Sequence, residues 1–210
     1  MARVYDPRPM SRPSALSSAR RASRKASPGP LPPGPAPADA LLRDWLQVGG
    51  SLTRHLRAGA ATVKVHRLSQ GRSAPLPGEA ARVGRRLHAR EVVLERDGRA
   101  LVYARSITAS SAVRGPWRAL LGLGTRPLAE LLFTQGGILR SPLLAHRFPP
   151  GSAWMRHIRA QCREVAPEIA RARVLWGRSS LFVKHGRVLR VLEVFAPGMP
   201  PRADRRGLRR

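Results

Sequence analysis

Acid is scarce in this sequence: 12 Asp and Glu stand against 39 Lys and Arg, leaving a formal net charge of +27. A surface so basic attracts anions of any kind, whether nucleic acid, anionic lipid headgroups or a small polycarboxylate, and charge alone does not choose among them. Cysteine occurs once, at Cys162, which excludes an internal disulfide framework and every multi-cysteine metal site, and fits a reducing, cytoplasmic setting. No apolar run approaches the roughly 20 residues needed to cross a bilayer, and the first 40 residues lack the apolar stretch of a secretory signal. The six histidines show no metal-ligand spacing. There is no GxSxG elbow, and the glycines of LGLGT and TQGG match no nucleotide-binding fingerprint, so neither covalent catalysis nor a nucleotide cofactor is expected. Trp117, Trp154 and Trp176 are scattered along the chain, as core or lid anchors are, rather than grouped as a platform for bases.

What remains is 210 residues, enough for one domain with a sizeable core and loose ends. Residues 1–38 form a basic arm rich in Pro, Ser and Arg and read as disordered. Its bias toward Arg, Ser and Ala resembles an organellar transit peptide, but the prolines of PGPLPPGPAPA argue against an amphipathic helix, and a true start downstream of Met1 produces the same appearance. Composition shifts at Asp39, so the folded domain is expected over 39–197, with 198–210 a disordered basic tail.

Within the domain, Asp39 caps a helix with Leu41, Leu42, Trp45 and Leu46 on one stripe, and Ser51 caps a second carrying Leu52 and Leu56. ATVKVHRL, LHAREVVLE and ALVYARSIT read as an antiparallel meander, with a turn at Asp97-Gly98 between the last two. Two short helices are predicted next, one around Trp117, Leu120 and Leu121, the other opened by Pro127 and carrying Leu128, Leu131 and Leu132. GILRSPLLAHRF predicts a strand, SAWMRHIRAQCREV a helix capped by Ser152 in which Cys162 is a passive thiol, and SSLFVKH with RVLRVLEVF a closing hairpin across His185-Gly186.

The chemistry concentrates on two charges. Alternation in RVLRVLEVF places Glu193 on the face of Leu189, Val191 and Phe195; alternation in LHAREVVL places Arg90 with Val92 and Leu94. Opposite charges on two inward strand faces are either a structural ion pair or the two poles of a pocket for a polar ligand, and a one-residue error in face turns both outward.

The blocks DWLQVGGSLTRHL (44–56), AREVVLERDGRALVYARSITASS (89–111), LLGLGTRPLAELLFT (120–134) and VLWGRSSLFVKHGRVLRVLEVFAP (174–197) together resemble the chorismate pyruvate-lyase (chorismate lyase) family. They keep the family's order, and the last keeps its spacing from the Trp-Gly-Arg triplet at 176–178 to Glu193. The resemblance implies a single α+β domain, an antiparallel sheet of about six strands with helices packed against it, and an internal site closed by helical flaps. It implies a carbon–oxygen lyase that needs no cofactor, converts chorismate to 4-hydroxybenzoate and pyruvate for ubiquinone synthesis, and acts in the cytoplasm as a monomer without a specific nucleic-acid partner. By position it assigns Arg90 and Glu193 as catalytic and substrate-binding residues, Leu128 as a flap residue whose backbone meets the ligand, and Leu52, where the family usually has methionine, as an apolar contact. Residues 149–170 look longer than the family's connection and are expected to reshape an entrance to the site. Two rival readings are a non-catalytic ligand-binding module of the same fold, as in regulator effector domains, and a nucleic-acid-binding protein argued from charge alone.

Overall fold

A computed structural model of the chain describes residues 39–202, apart from 60 and 135. The expected arm 1–38 and most of the expected tail lie outside the described residues. The folded chain runs past the expected boundary at 197, because Met199 is buried against the core and the Pro200 carbonyl accepts a hydrogen bond from Trp45 Nε1 at 2.7 Å.

The chain opens with helices α1 (Ala40–Gln47) and α2 (Leu52–Arg57), each started by the predicted cap: the Asp39 carboxylate accepts from the Leu41 amide, and the Ser51 hydroxyl from the Arg54 amide. Strands β1 (Val63–Ser73), β2 (Leu87–Arg96) and β3 (Arg99–Ala109) form the meander, with a single turn of helix, α3 (Ala80–Val83), between the first two. The predicted turns at Asp97-Gly98 and His185-Gly186 are both present, with all four residues at positive φ. The expected helix around Trp117 is instead two 3₁₀ turns, Ala112–Arg114 and Arg118–Leu120, kept short by Gly115-Pro116 between them. Helix α4 (Leu128–Thr134) starts directly after Pro127 as expected.

GILRSPLLAHRF divides into β4 (Leu139–Arg140) and β5 (Leu144–Phe148), because Ser141-Pro142 interrupts the ladder; both pieces pair with β6 (Leu175–Lys184). That division makes the sheet seven-stranded rather than six. Its order is β1-β2-β3-β7-β6-β4, with β5 also on β6 and β7 (Arg187–Phe195) at the centre, and every pairing is antiparallel.

Both faces of the sheet are covered. One carries Val92, Leu94, Val102, Ala104, Trp176 and Phe195 against Trp45, Leu46, Leu52 and Leu56 of α1 and α2. The other carries Val93, Tyr103, Leu192 and Val194 against Met155, Ile158 and Cys162 of α5 (Ala153–Cys162) and Ile169 of α6 (Pro167–Arg171). Hence the 149–170 segment does not shape an entrance to the site; it packs on the sheet face that carries Val93 and Val194, away from Arg90 and Glu193. Its cover also buries charges that alternation alone would send to solvent. Glu91 and Arg105 are each 1 % exposed on that face, paired with each other, with Glu79 and with His157 of α5.

Candidate active site

The period-2 reading of β2 and β7 holds. Arg90, Val92 and Leu94 line one cavity together with Ala104 and Ser106 of β3, Ser180 and Phe182 of β6, and Val191 and Glu193 of β7. Its roof comes from the two short helices: Leu52 and Thr53 of α2, then Leu128, Ala129, Leu132 and Phe133 of α4. All four residues singled out in the sequence, Leu52, Arg90, Leu128 and Glu193, therefore line the same space. Free space inside is about 50 Å³. An engineered apolar cavity that accepts benzene measures about 150 Å³, so a six-membered ring enters only when the α2 and α4 roof gives way.

Arg90 is 2 % exposed and has no carboxylate partner among the described residues. Its Nη2 donates to the carbonyls of Gly124 and Arg126 at 3.0 and 3.1 Å, in the linker that leads into α4, and its Nε is buried without an acceptor. The guanidinium thus holds the roof down from within while keeping a donor in reserve. Burial, with Arg67 adding repulsion, pushes its pKa down to about 10, the mark of a cation short of anionic company.

Glu193 is not paired with Arg90. Its cross-strand neighbour Arg178, fully buried, donates from Nε to Glu193 Oε2 at 2.6 Å and from Nη1 to the Trp45 and Val48 carbonyls. Arg178 satisfies the carboxylate's charge and ties it to α1, which leaves Oε1 with no protein donor among the described residues. Of the two readings that alternation left open, the direct Arg90–Glu193 ion pair is absent among the described residues, and both charges line the same cavity.

Gly177, between Trp176 and Arg178, explains the triplet. A Cβ there would lie 2.6 Å from the Glu193 carbonyl oxygen and 3.1 Å from Phe148 and Val194 side-chain atoms, so only glycine lets β6 close on β7 at this register.

Sequence reasoning missed Arg140. On the two-residue strand β4 it donates from Nε to Ser180 Oγ at 3.2 Å and from Nη1 to the Gly50 carbonyl at 2.9 Å, lies over the rings of Phe133 and Phe182, and lines the cavity. So short a strand carries no alternation, and one arginine among 39 basic residues carries no signal. Cys162 is buried behind the sheet, with its thiol pushed up to about 12 by burial and then by Glu91, and is chemically passive as expected.

The chemistry available is that of a small anion receptor: a roofed, partly open chamber with more apolar than polar lining, two arginines and a carboxylate. A family model described as chorismate lyase matches residues 36–203. A "Probable chorismate pyruvate-lyase" of Albidiferax ferrireducens is 41% identical over 161 residues, covering 75% of this chain and 82% of the relative. One from Aromatoleum aromaticum is 41% identical over 170 residues, covering 79% and 89%. Among solved structures, PhnF from Mycobacterium smegmatis superposes with a TM-score of 0.51 at 12% identity, over 71% of this chain and 65% of that one, a likeness of fold alone. A family match over nearly the whole described chain, relatives at this identity, and a cavity holding the expected pair of charges agree: the chain belongs to the chorismate lyase family.

Proposed function

We propose that the protein is a chorismate pyruvate-lyase, releasing 4-hydroxybenzoate and pyruvate. The observation that carries this reading is the convergence of Arg90, with an unused buried donor, and Glu193, with an unused oxygen, on one roofed cavity.

Chorismate is a dianion whose cyclohexadiene ring needs one more double bond to become aromatic. In the proposed step the ring hydrogen on the hydroxyl-bearing carbon moves to the methylene carbon of the enolpyruvyl group as the ring C–O bond breaks. The ether oxygen becomes the keto oxygen of pyruvate, the methylene becomes its methyl, and the ring gains the third double bond. Atoms and electrons balance within the one molecule, so no external base or cofactor is called for. The protein's work is to fold the side chain over the ring, exclude water and stabilise charge on the parting oxygen.

Arg90 would hold the ring carboxylate, to which its planar fork is matched, and Glu193 the ring hydroxyl at the opposite end. Leu128 and Leu52 would press on the ring from the roof. Binding would shift Arg90 from the Gly124 and Arg126 carbonyls toward the ligand. Release of a product that still satisfies Arg90 then requires the roof to open again, so product departure would limit turnover. The product would enter ubiquinone synthesis.

The test is direct: purified protein with chorismate alone, followed by 4-hydroxybenzoate absorbance and pyruvate formation. Wild type turns over; Arg90→Ala loses at least a thousandfold in kcat/KM with its circular dichroism retained, and Arg90→Lys at least a hundredfold, since a point charge does not copy the fork. Wild-type-like turnover by Arg90→Ala would refute the assignment.

A further inference from the structure

The charges around the cavity do not cancel. Arg90 and Arg140 both line it, whereas the cavity's one carboxylate, Glu193, is already taken up by Arg178. Among the described residues both lining guanidiniums have neutral partners only: backbone carbonyls for Arg90, and the Ser180 hydroxyl, the Gly50 carbonyl and two phenyl faces for Arg140. Burial lowers the Arg140 pKa, and Arg178 adds to the lowering while Glu193 opposes it. A buried cation and a half-buried one, neither with a carboxylate of its own among the described residues, are costly to hold side by side, and the ligand that relieves both is a dianion.

Position makes the match more specific. Arg90 enters from β2 and Arg140 from β4, with β3, β7 and β6 between them. Four strand spacings of roughly 4.8 Å separate their backbones by about 19 Å, a gap that two inward-reaching arginines narrow to the span of a small molecule. In strand order Glu193 on β7 stands between the two, two residues along the sheet from the level of Arg90. In chorismate the ring carboxylate lies para to the hydroxyl, and the enolpyruvyl ether is attached next to that hydroxyl. With the ring axis laid from Arg90 to Glu193, the side chain projects beyond Glu193, toward the β6 and β4 side of the cavity.

We propose that Arg140 binds the enolpyruvyl carboxylate, the group that leaves as pyruvate, and is thereby the residue that distinguishes substrate from the retained aromatic product. This inference rests on the lyase reading above. Arg90 grips the carboxylate common to substrate and 4-hydroxybenzoate; Arg140 grips the one that only the substrate carries. Stacking on Phe133, a roof residue, and Phe182, a floor residue, keeps the guanidinium flat against the cavity wall, and its bond to the Gly50 carbonyl anchors it to the start of α2. When the C–O bond has broken, pyruvate holds Arg140 alone and the aromatic acid holds Arg90 alone, so the two products have separate anchors.

The test compares two ligands on Arg140→Gln: chorismate turnover, and equilibrium binding of 4-hydroxybenzoate by calorimetry. The expected result is a loss of at least a hundredfold in kcat/KM for chorismate with the 4-hydroxybenzoate Kd changed less than threefold, and partial recovery of kcat/KM in Arg140→Lys. A second measurement needs no turnover. The stable dianion 3-(carboxymethoxy)-4-hydroxybenzoate should lose affinity for Arg140→Gln at least tenfold more than 4-hydroxybenzoate does. Equal weakening of both ligands assigns Arg140 a merely structural part and overturns the proposal, as does kcat/KM within threefold of wild type. Should Arg140→Gln fail to fold, Arg140→Lys carries the same comparison. Wild type inactive on chorismate sinks the lyase reading and this inference together, whereas active wild type with an indifferent Arg140 sinks only the inference.

Discussion

At Gly177 a single hydrogen stands where any other residue would put a carbon 2.6 Å from the Glu193 carbonyl oxygen. Backbone on both sides means the clash has no flexible end to yield, so Gly177→Ala pushes β6 from β7 at the residue pair that positions Glu193 and Arg178. Overpacking of this kind costs about 1–3 kcal/mol. For a domain of this size that lowers Tm by roughly 2–12 °C, and displacement of Glu193 reduces kcat/KM beyond what the stability loss accounts for; differential scanning calorimetry beside steady-state kinetics separates the two. His146 offers a second residue-scale prediction. Burial, then the charge of Arg190, pushes its pKa down to about 4 from 6.5, and its Nε2 lies 2.7 Å from Ser179 Oγ. The folded state therefore keeps this imidazole neutral while the unfolded chain protonates it below pH 6.5. Unfolded chains bind the extra proton, so stability falls as pH drops from 6.5 toward 4, and is unaffected by His146 above that window. His88, lowered by burial, adds a smaller slope of the same sign. Urea midpoints measured at pH 7.5 and 5.0 should differ less in His146→Gln than in wild type; an unchanged difference would show that the imidazole protonates freely in the fold.

Among the elements, α5 is the one whose place decides an argument. Its start is fixed by Ser152, whose Oγ accepts from the Met155 amide at 3.1 Å, and it buries Met155, Ile158 and Cys162 behind the sheet. Ser152→Ala removes the cap at a cost of about 1 kcal/mol, or roughly 2–4 °C in Tm. Because α5 covers the face opposite the cavity, KM for chorismate and the 4-hydroxybenzoate Kd should stay within twofold of wild type; a rise in KM would restore this segment to the site's entrance. Alternation made the central strands legible, since β2 and β7 each carry a charge that breaks an apolar face and the structure sets both on the cavity. Caps made the helix starts legible, at Asp39, Ser51 and Ser152. What alternation could not convey was which faces are covered. Glu91 and Arg105 lie on the other phase of β2 and β3, and only the packing of α5, α6 and the loop bearing Glu79 turns that phase inward. Arg178 was visible only as part of a triplet, because its role depends on the β6–β7 register and on carbonyls of α1 more than 100 residues earlier.

For the whole molecule, the +27 charge acts on encounter and on cohesion with opposite sign. A dianionic substrate approaching so basic a protein is drawn in by a field whose reach is the Debye length, about 10 Å at 0.1 M salt and about 30 Å at 0.01 M. The roofed cavity adds Arg90 and Arg140, so the attraction does not end at the surface. Raising NaCl from 20 to 500 mM at fixed pH should therefore lower kcat/KM for chorismate several-fold, whereas kcat, which the proposed mechanism limits by roof opening and product departure, moves little. The same salt screens repulsion among the arginines of the folded surface, which are crowded in the native state and dispersed in the unfolded one, so Tm should rise over the same range. Falling kcat/KM together with rising Tm distinguishes lost steering from salt denaturation, since denaturation would move both downward. A kcat/KM indifferent to salt would mean that the basic surface plays no part in gathering the substrate and that recognition is confined to the cavity.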